Sequence, residues 1–105
     1  MNEENAKAQM RKGILELCVL RIVRSSEVYT SDISDRLKSA ELLVVEGTLY
    51  PLLTRMKNAG WLSYRWEESK SGPPRKYYQI TPAGEAFLTQ LEREWTAFTQ
   101  AVDTL

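Results

Sequence analysis

Apolar positions along this chain follow a helical period, switch to a period of two, and return to the helical one. Between Ala6 and Ser25, Met10, Ile14, Leu15, Leu17, Cys18, Val19, Leu20, Ile22 and Val23 cover most of a helical circumference. A helix apolar nearly all round is buried on more than one side. One side can pack on its own domain, and a second subunit is the economical partner for the other. Ile33, Leu37 and Ala40 then fall at helical spacing. Thr30 or Ser31 is the expected N-cap of that second helix, with Asp32 in its first turn, where a carboxylate favours the positive helix end. Leu42-Leu43-Val44-Val45 is too short for a helix and reads as a tight, partly buried connection. A third helix is predicted over Glu46–Ala59, with Leu49, Leu52, Leu53 and Met56 as its core stripe. Pro51 would normally clash with the carbonyl four residues back, but that residue is Gly47, where the chain can relax. Gly60 is a left-handed terminator.

The period then becomes two. Leu62, Tyr64 and Trp66 alternate with Ser63, Arg65 and Glu67, which marks a half-buried strand. Tyr78 and Ile80 are expected on the inner face of a returning strand. Ser69-Lys70-Ser71-Gly72-Pro73-Pro74 is polar and rich in turn formers, and reads as a loop too long for a two-residue turn, a flexible wing. Trp61, Tyr64, Trp66 and Tyr78 are assigned to core and hairpin packing in preference to a base-stacking platform. The last helix opens with Thr81 as N-cap and Pro82 at the first helical position. Its apolar residues, Leu88, Leu91, Trp95, Phe98, Val102 and Leu105, follow steps of three, four, three, four, three. That is a heptad seam of about two and a half repeats, short for a free coiled coil but enough to pack on another subunit. The pattern predicts a mostly α fold with a small β-hairpin, a winged helix-turn-helix with a C-terminal dimerisation helix. The 105 residues make one domain, 6–81 forming the winged unit with its N-terminal helix and 82–105 the dimerisation helix.

Composition changes this picture little, and charge changes it more. A chain this short buries only about 60–70% of its extended surface, so association would add stability. Hydrophobic residues at 43% and charged residues at 27% are ordinary for a soluble protein. The N-terminus, Met1-Asn2-Glu3-Glu4-Asn5, is acidic and unlike a signal peptide, and Ile14–Val23 is too short and too charged to span a bilayer. The single cysteine, Cys18, cannot form an internal disulfide, so a reducing cytoplasm fits; a buried structural thiol is expected there. The formal net charge is zero, yet it is unevenly placed. From Thr48 to Ile80, Arg55, Lys57, Arg65, Lys70, Arg75 and Lys76 face only Glu67 and Glu68. After Ile80, Arg93 stands against Glu85, Glu92, Glu94 and Asp103. A protein that meets phosphate on one face can do so without a high isoelectric point.

On the third helix, Thr48, Tyr50, Thr54, Arg55, Lys57 and Asn58 lie away from the leucine stripe. They suit DNA: hydroxyls hold phosphate oxygens, and Arg55 or Asn58 can reach base edges. A solvated polar face is the plainer reading, and Tyr50 could pack beside Pro51. On the hairpin, Arg65, Lys70, Arg75 and Lys76 suit phosphate or a minor groove, although exposed hairpins also carry lysine against edge association. No histidine, phosphate loop, nucleophile elbow or paired carboxylate site is present, so an enzyme is not expected, nor is a metal or cofactor. The expected partners are double-stranded DNA and a second copy, with no membrane; a winged-helix protein-interaction module without DNA affinity is the alternative.

Glu46-Gly47-Thr48-Leu49-Tyr50-Pro51-Leu52-Leu53, Lys57-Asn58-Ala59-Gly60-Trp61-Leu62, Gly72-Pro73-Pro74-Arg75-Lys76-Tyr77-Tyr78 and Thr81-Pro82-Ala83-Gly84 closely resemble the PadR family of bacterial transcriptional regulators. The resemblance is strongest from Glu46 to Gly84. It implies a homodimer built by the terminal helices and repression of nearby genes, often relieved by a small molecule. The single helix after the wing resembles the compact subfamily. Many family members carry Gly-Tyr before the second helix, whereas this chain has Tyr29-Thr30-Ser31-Asp32. In multidrug-sensing members a tryptophan at the place matching Trp95 stacks on flat aromatic ligands. For Trp95 the resemblance therefore implies a possible aromatic effector, beside the plainer reading of dimer packing.

Overall fold

The computed structural model describes residues 3–42 and 45–105, the side chain of residue 46 excepted. Helix α1 (Glu3–Arg24) leads into a two-residue strand β1 (Val28–Tyr29), helix α2 (Thr30–Ser39) and helix α3 (Glu46–Asn58). The hairpin β2 (Leu62–Ser69) and β3 (Gly72–Ile80) and helix α4 (Pro82–Asp103) follow. The mostly helical fold with a small sheet agrees with the sequence pattern. The sheet has three antiparallel strands in the order β1-β3-β2, where the sequence suggests only a hairpin. β1 pairs Val28 with Tyr78 and Tyr29 with Tyr77, too short a ladder to leave a periodic signal.

The core gathers one stripe from each element. Leu15, Val19, Leu20 and Val23 of α1 meet Ile33 and Leu37 of α2 and Leu49, Leu52, Leu53 and Met56 of α3. Leu62 and Tyr78 supply the sheet face. The first turns of α1 lie outside this core, and Met10 is 75% exposed. Cys18 is half-buried, and burial pushes its thiol pKa up, with Arg21 opposing more weakly. Of the connection 42–45, Leu43 and Val44 lie outside the described residues. Leu42 packs on the core and Val45 is exposed, so the described ends of the connection are partly buried, as expected.

Some local expectations need correction. The N-cap of α2 is Tyr29, not Thr30 or Ser31. Asp32, three residues into the helix, accepts a hydrogen bond from the Tyr29 backbone N–H at 2.9 Å, so the acidic residue satisfies the entry from inside. The hairpin tip is a two-residue turn, Lys70-Ser71, rather than a long flexible loop. Pairing runs from Leu62↔Ile80 to Glu67↔Arg75 and resumes at Ser69↔Gly72 after a bulge. Pro73 and Pro74 fit in β3 because β1 reaches only Tyr77 and Tyr78, leaving one edge of the strand open there, and because the bulge interrupts the ladder to β2 on the other side. Pro51 stays inside α3 without ending it.

Gly60 adopts φ +87° after α3, a left-handed conformation that glycine takes at no steric cost. It turns the chain so that Trp61 faces the root of α4. There the Trp61 carbonyl accepts from the Thr81 N–H at 3.1 Å. Thr81 Oγ1 accepts from the Gly84 N–H at 2.9 Å and donates to the Gly60 carbonyl at 2.5 Å. A Cβ on Gly84 would lie 2.1 Å from the Trp61 carbonyl oxygen. Phe87 stacks on Trp61 with ring centroids 3.8 Å apart. Arg21 of α1 forms a two-pronged ion pair with Glu92 of α4, its Nε donating at 2.6 Å. The Arg21 hydrogen bond holds the Glu92 carboxyl below its ordinary pKa.

Candidate nucleic-acid interface

The pleat of the hairpin sorts its charged residues onto two faces. Leu62, Tyr64 and Trp66 lie opposite Ile80, Tyr78 and Lys76, whereas Ser63, Arg65 and Glu67 lie opposite Gln79, Tyr77 and Arg75. Successive side chains alternate across a strand, so Arg65, Tyr77, Glu67 and Arg75 share the face away from the core. On that face Arg65 is held at both ends. Its Nε donates to Glu27 at 2.9 Å and its Nη1 to Glu67 at 3.0 Å, and its guanidinium lies 4.7 Å from the Tyr77 ring centre. These bonds, Glu27 first, raise its pKa further. Tyr77 stacks on Tyr29 at 3.8 Å. Hydrogen bonding to Tyr29, then desolvation, pushes the Tyr77 phenol up to about 12. Arg75 rests on the far ring of the stack, 5.2 Å from the Tyr29 centre.

The other cations are not paired in this way. Among the described residues no carboxylate lies within 4.0 Å of Lys57, Lys70, Arg75 or Lys76. Lys76 instead lies over Tyr64 at 4.5 Å and Trp66 at 5.3 Å, and Lys57 of α3 approaches Tyr64 from the helix side at 5.8 Å. A cation resting on an aromatic face is attracted by the ring quadrupole but keeps its charge. It remains available to an anion.

Helix α3 distributes the expected site residues over two edges of its outer surface. Tyr50 and Thr54 face a groove of about 440 Å³ lined also by Tyr29, Thr30 and Ser31 at the start of α2 and by Trp66, Arg75, Lys76 and Tyr78 of the hairpin. Thr48 and Arg55 lie on the other edge, beside Lys12, Leu15 and Pro51. Arg55 reaches Glu16 of α1 at 3.5 Å. Asn58 and Lys70 are exposed at the end of α3 and at the hairpin tip. The fold therefore brings Tyr50, Thr54, Arg75 and Lys76 together around one groove. Thr48 and Arg55 stand apart from that groove, and Arg65 is already engaged by acids. Tyr50 is 54% exposed, so it is not packed away beside Pro51.

Two sequence assignments change here. Trp66, expected to pack, is 60% exposed. Its position on the inner face misled, because that face extends past the end of the core. The α4 seam is not uniform either. Leu88 is buried in the protomer's own core and Leu91 packs against it. That removes Leu88 from the expected dimer surface. Trp95, Phe98, Val102 and Leu105 remain 38%, 63%, 66% and 105% exposed. Thr30 and Ser31, at the start of α2, also line the groove, a placement that the sequence signals only through their position at the head of a helix. No cluster of metal-binding side chains occurs among the described residues, and no helix there is long and apolar enough to cross a membrane.

Comparison with known proteins bears on this arrangement. Residues 19–90 match the family described as the transcriptional regulator PadR-like family. A PadR-like transcription factor from Bacteroides fragilis is 54% identical, the match covering 95% of this chain and 97% of that one, with a TM-score of 0.80. A PadR-like transcriptional regulator from Bacillus cereus is 37% identical over 91% and 94% of the two chains, again at 0.80. A transcriptional regulator of Mycobacterium tuberculosis is 31% identical over 81% of this chain and 78% of its own. All three relatives are transcription factors or transcriptional regulators. With the three-stranded winged-helix architecture already described, they establish that this chain belongs to the PadR-like family of transcriptional regulators.

Proposed function

We propose that this regulator is a homodimeric repressor that grips duplex DNA with α3 and the hairpin of each protomer. One observation carries the reading. Arg75 and Lys76, with no carboxylate partner among the described residues, border the same groove as Tyr50 and Thr54 of α3. A polyanion lying along that groove would meet cations on the hairpin and hydroxyls on the helix together. Lys57, Lys70 and Asn58 extend the surface at either end. Thr48 and Arg55 serve the adjoining edge of α3, and Arg55 exchanges its loose pairing with Glu16 for the nucleic acid. Arg65 sets the angle of the hairpin through Glu27 and Glu67. The test is duplex affinity, followed by fluorescence anisotropy across a salt series, for the double variant Arg75→Ala with Lys76→Ala. Each phosphate neutralised contributes about 0.9 to the slope of log K against log salt. Loss of two cations from each of two protomers should therefore flatten the slope by about 3.6. An unchanged slope in a folded dimer would remove the hairpin from the interface. Expression of a reporter placed beside a recovered binding fragment should fall when the protein is present; a rise would make it an activator.

The distal part of residues 82–105 supplies the dimer contact in this reading. Trp95, Phe98, Val102 and Leu105 form an apolar row on a helix already anchored at its root. A planar aromatic effector could sit between the two Trp95 side chains and relieve repression by altering the spacing of the DNA-binding heads. Titration with a panel of flat aromatic compounds tests this arm. The expected result is quenching of tryptophan emission and a raised melting temperature for some members. Silence in both across the panel would leave Trp95 as a packing residue alone.

A further inference from the structure

The exposed indole of Trp66 is not explained by the fold. A tryptophan carries 150–250 Å² of largely apolar surface, and this one leaves 60% of its accessible area in water. It is not a loose tip residue. Trp66 lies in the paired part of the hairpin opposite Lys76, before the bulge. Its ring meets Tyr64 edge-on, at 6.1 Å and 90°, and Tyr64 is in turn tilted against the buried Tyr78 at 5.7 Å. The indole is thus buttressed on one side by a chain of rings rooted in the core. It also lines the groove that holds Arg75, Lys76, Tyr50 and Thr54. The Lys76 ammonium lies 5.3 Å from its ring centre.

We infer that Trp66 is a DNA contact in its own right, its ring packing on a deoxyribose beside the phosphates that Arg75 and Lys76 hold. This rests on the DNA-binding reading above and adds a residue to it. The occupant is named by the chemistry of the groove. Unpaired cations stand there beside a rigid, exposed indole, and the backbone of a duplex offers phosphates alternating with the apolar faces of its sugars. A purely apolar partner would leave Arg75 and Lys76 desolvated without counter-charge, and an acidic peptide would leave the indole unused. Lys76 rests on aromatic rings in the free protein and can turn to phosphate without breaking an ion pair. A deoxyribose is the same in every nucleotide, so Trp66 adds affinity without adding charge or sequence preference.

That separation gives the test. A fluorescein-labelled pool of random-sequence duplex, about 30 base pairs long to span two half-sites a helical turn apart, is titrated with wild type, Trp66→Ala and Trp66→Phe across a salt series. Trp66→Ala should bind roughly tenfold more weakly with the salt slope unchanged, and Trp66→Phe should recover most of the loss. Loss of charge contacts moves the slope, so a general weakening of the wing would look different. A protein keeping only Trp66, through Trp61→Phe and Trp95→Phe, should show its emission quenched at saturating duplex. Should the Trp61 change disturb folding, Trp66→Ala and Trp66→Phe still decide the matter, since they alter an exposed side chain. Wild type that binds with a steep salt slope while Trp66→Ala binds equally well would overturn this inference and leave the DNA-binding reading standing. Wild type that binds no duplex at low salt would overturn both.

Discussion

The hairpin and the distal half of α4 both expose large apolar side chains, but in different company. On the hairpin, Trp66 stands among Arg75, Lys76 and the hydroxyl of Thr54. On α4, Trp95, Phe98, Val102 and Leu105 follow one another along a seam, and the only base in the helix, Arg93, is outnumbered by Glu85, Glu92, Glu94 and Asp103. Exposed aromatic area is therefore a poor guide to partner by itself. The surrounding charge decides: cations with a ring suit a polyanion, whereas a self-complementary apolar stripe suits its own copy about a two-fold axis. The same helix contains its own control, because Leu88, on the same heptad pattern, is buried inside the protomer.

That contrast can be broken at several points. Leu88→Ala should cost about 3 kcal/mol of folding stability, as expected for a truncated buried leucine, measured by thermal or urea melting. A loss below about 1 kcal/mol would mean that the root of α4 is not part of the core. Phe98→Glu should leave the circular dichroism spectrum and fold intact, since Phe98 is exposed in the protomer. It should weaken self-association by at least about 2 kcal/mol, roughly thirtyfold, as for an interface hot spot. A dimer that sediments unchanged after this substitution would move the interface elsewhere.

Which parts of this division the sequence announces follows from physical range. Capping, termination and strand alternation are local, so Thr81-Pro82, Gly60 and the shared inner face of Leu62, Tyr78 and Ile80 are readable directly. The heptad spacing of α4 is equally visible. Spacing cannot say where the protomer's own core ends, so it grouped Leu88 with Phe98. The same blindness put Trp66 inside. Alternation names a face, and only the packed structure shows how far along the hairpin that face is covered. Rules for capping oxygens pointed to Thr30 or Ser31, but Asp32 acting from inside the helix made Tyr29 the boundary residue. The pairing of Arg65 with Glu27 and of Arg55 with Glu16 joins residues 38 and 39 positions apart, beyond any local signal.

Smaller effects sharpen the comparison within the cations. Lys57→Ala should reduce the salt slope of duplex binding by about 0.9 for each protomer. Arg65→Ala should leave the slope nearly unchanged and instead loosen the hairpin, seen as faster amide exchange at the cross-strand Tyr77. Equal slope changes from the two would show that Arg65 leaves Glu27 and Glu67 to meet phosphate. The smallest effect concerns the Arg21–Glu92 pair, which ties α4 to α1. Glu92 has a folded-state pKa below its ordinary value because Arg21 favours the charged form. Its contribution is thus complete above the ordinary carboxylate range and fades as pH falls through the depressed value. The pair is partly solvent-exposed and so screened, so Glu92→Gln should cost about 0.5 kcal/mol at neutral pH and nothing at strongly acid pH. A cost that grows on acidification would contradict the assignment.

The central claim, that two copies present their unpaired cations to one duplex, is tested most directly by sedimentation of labelled duplex with the protein across a salt series. The account predicts two protomers per duplex and a log K that falls linearly with log salt, with a slope between about −4 and −7 as four to eight phosphates are engaged. One protomer per duplex, or an affinity indifferent to salt, would contradict it.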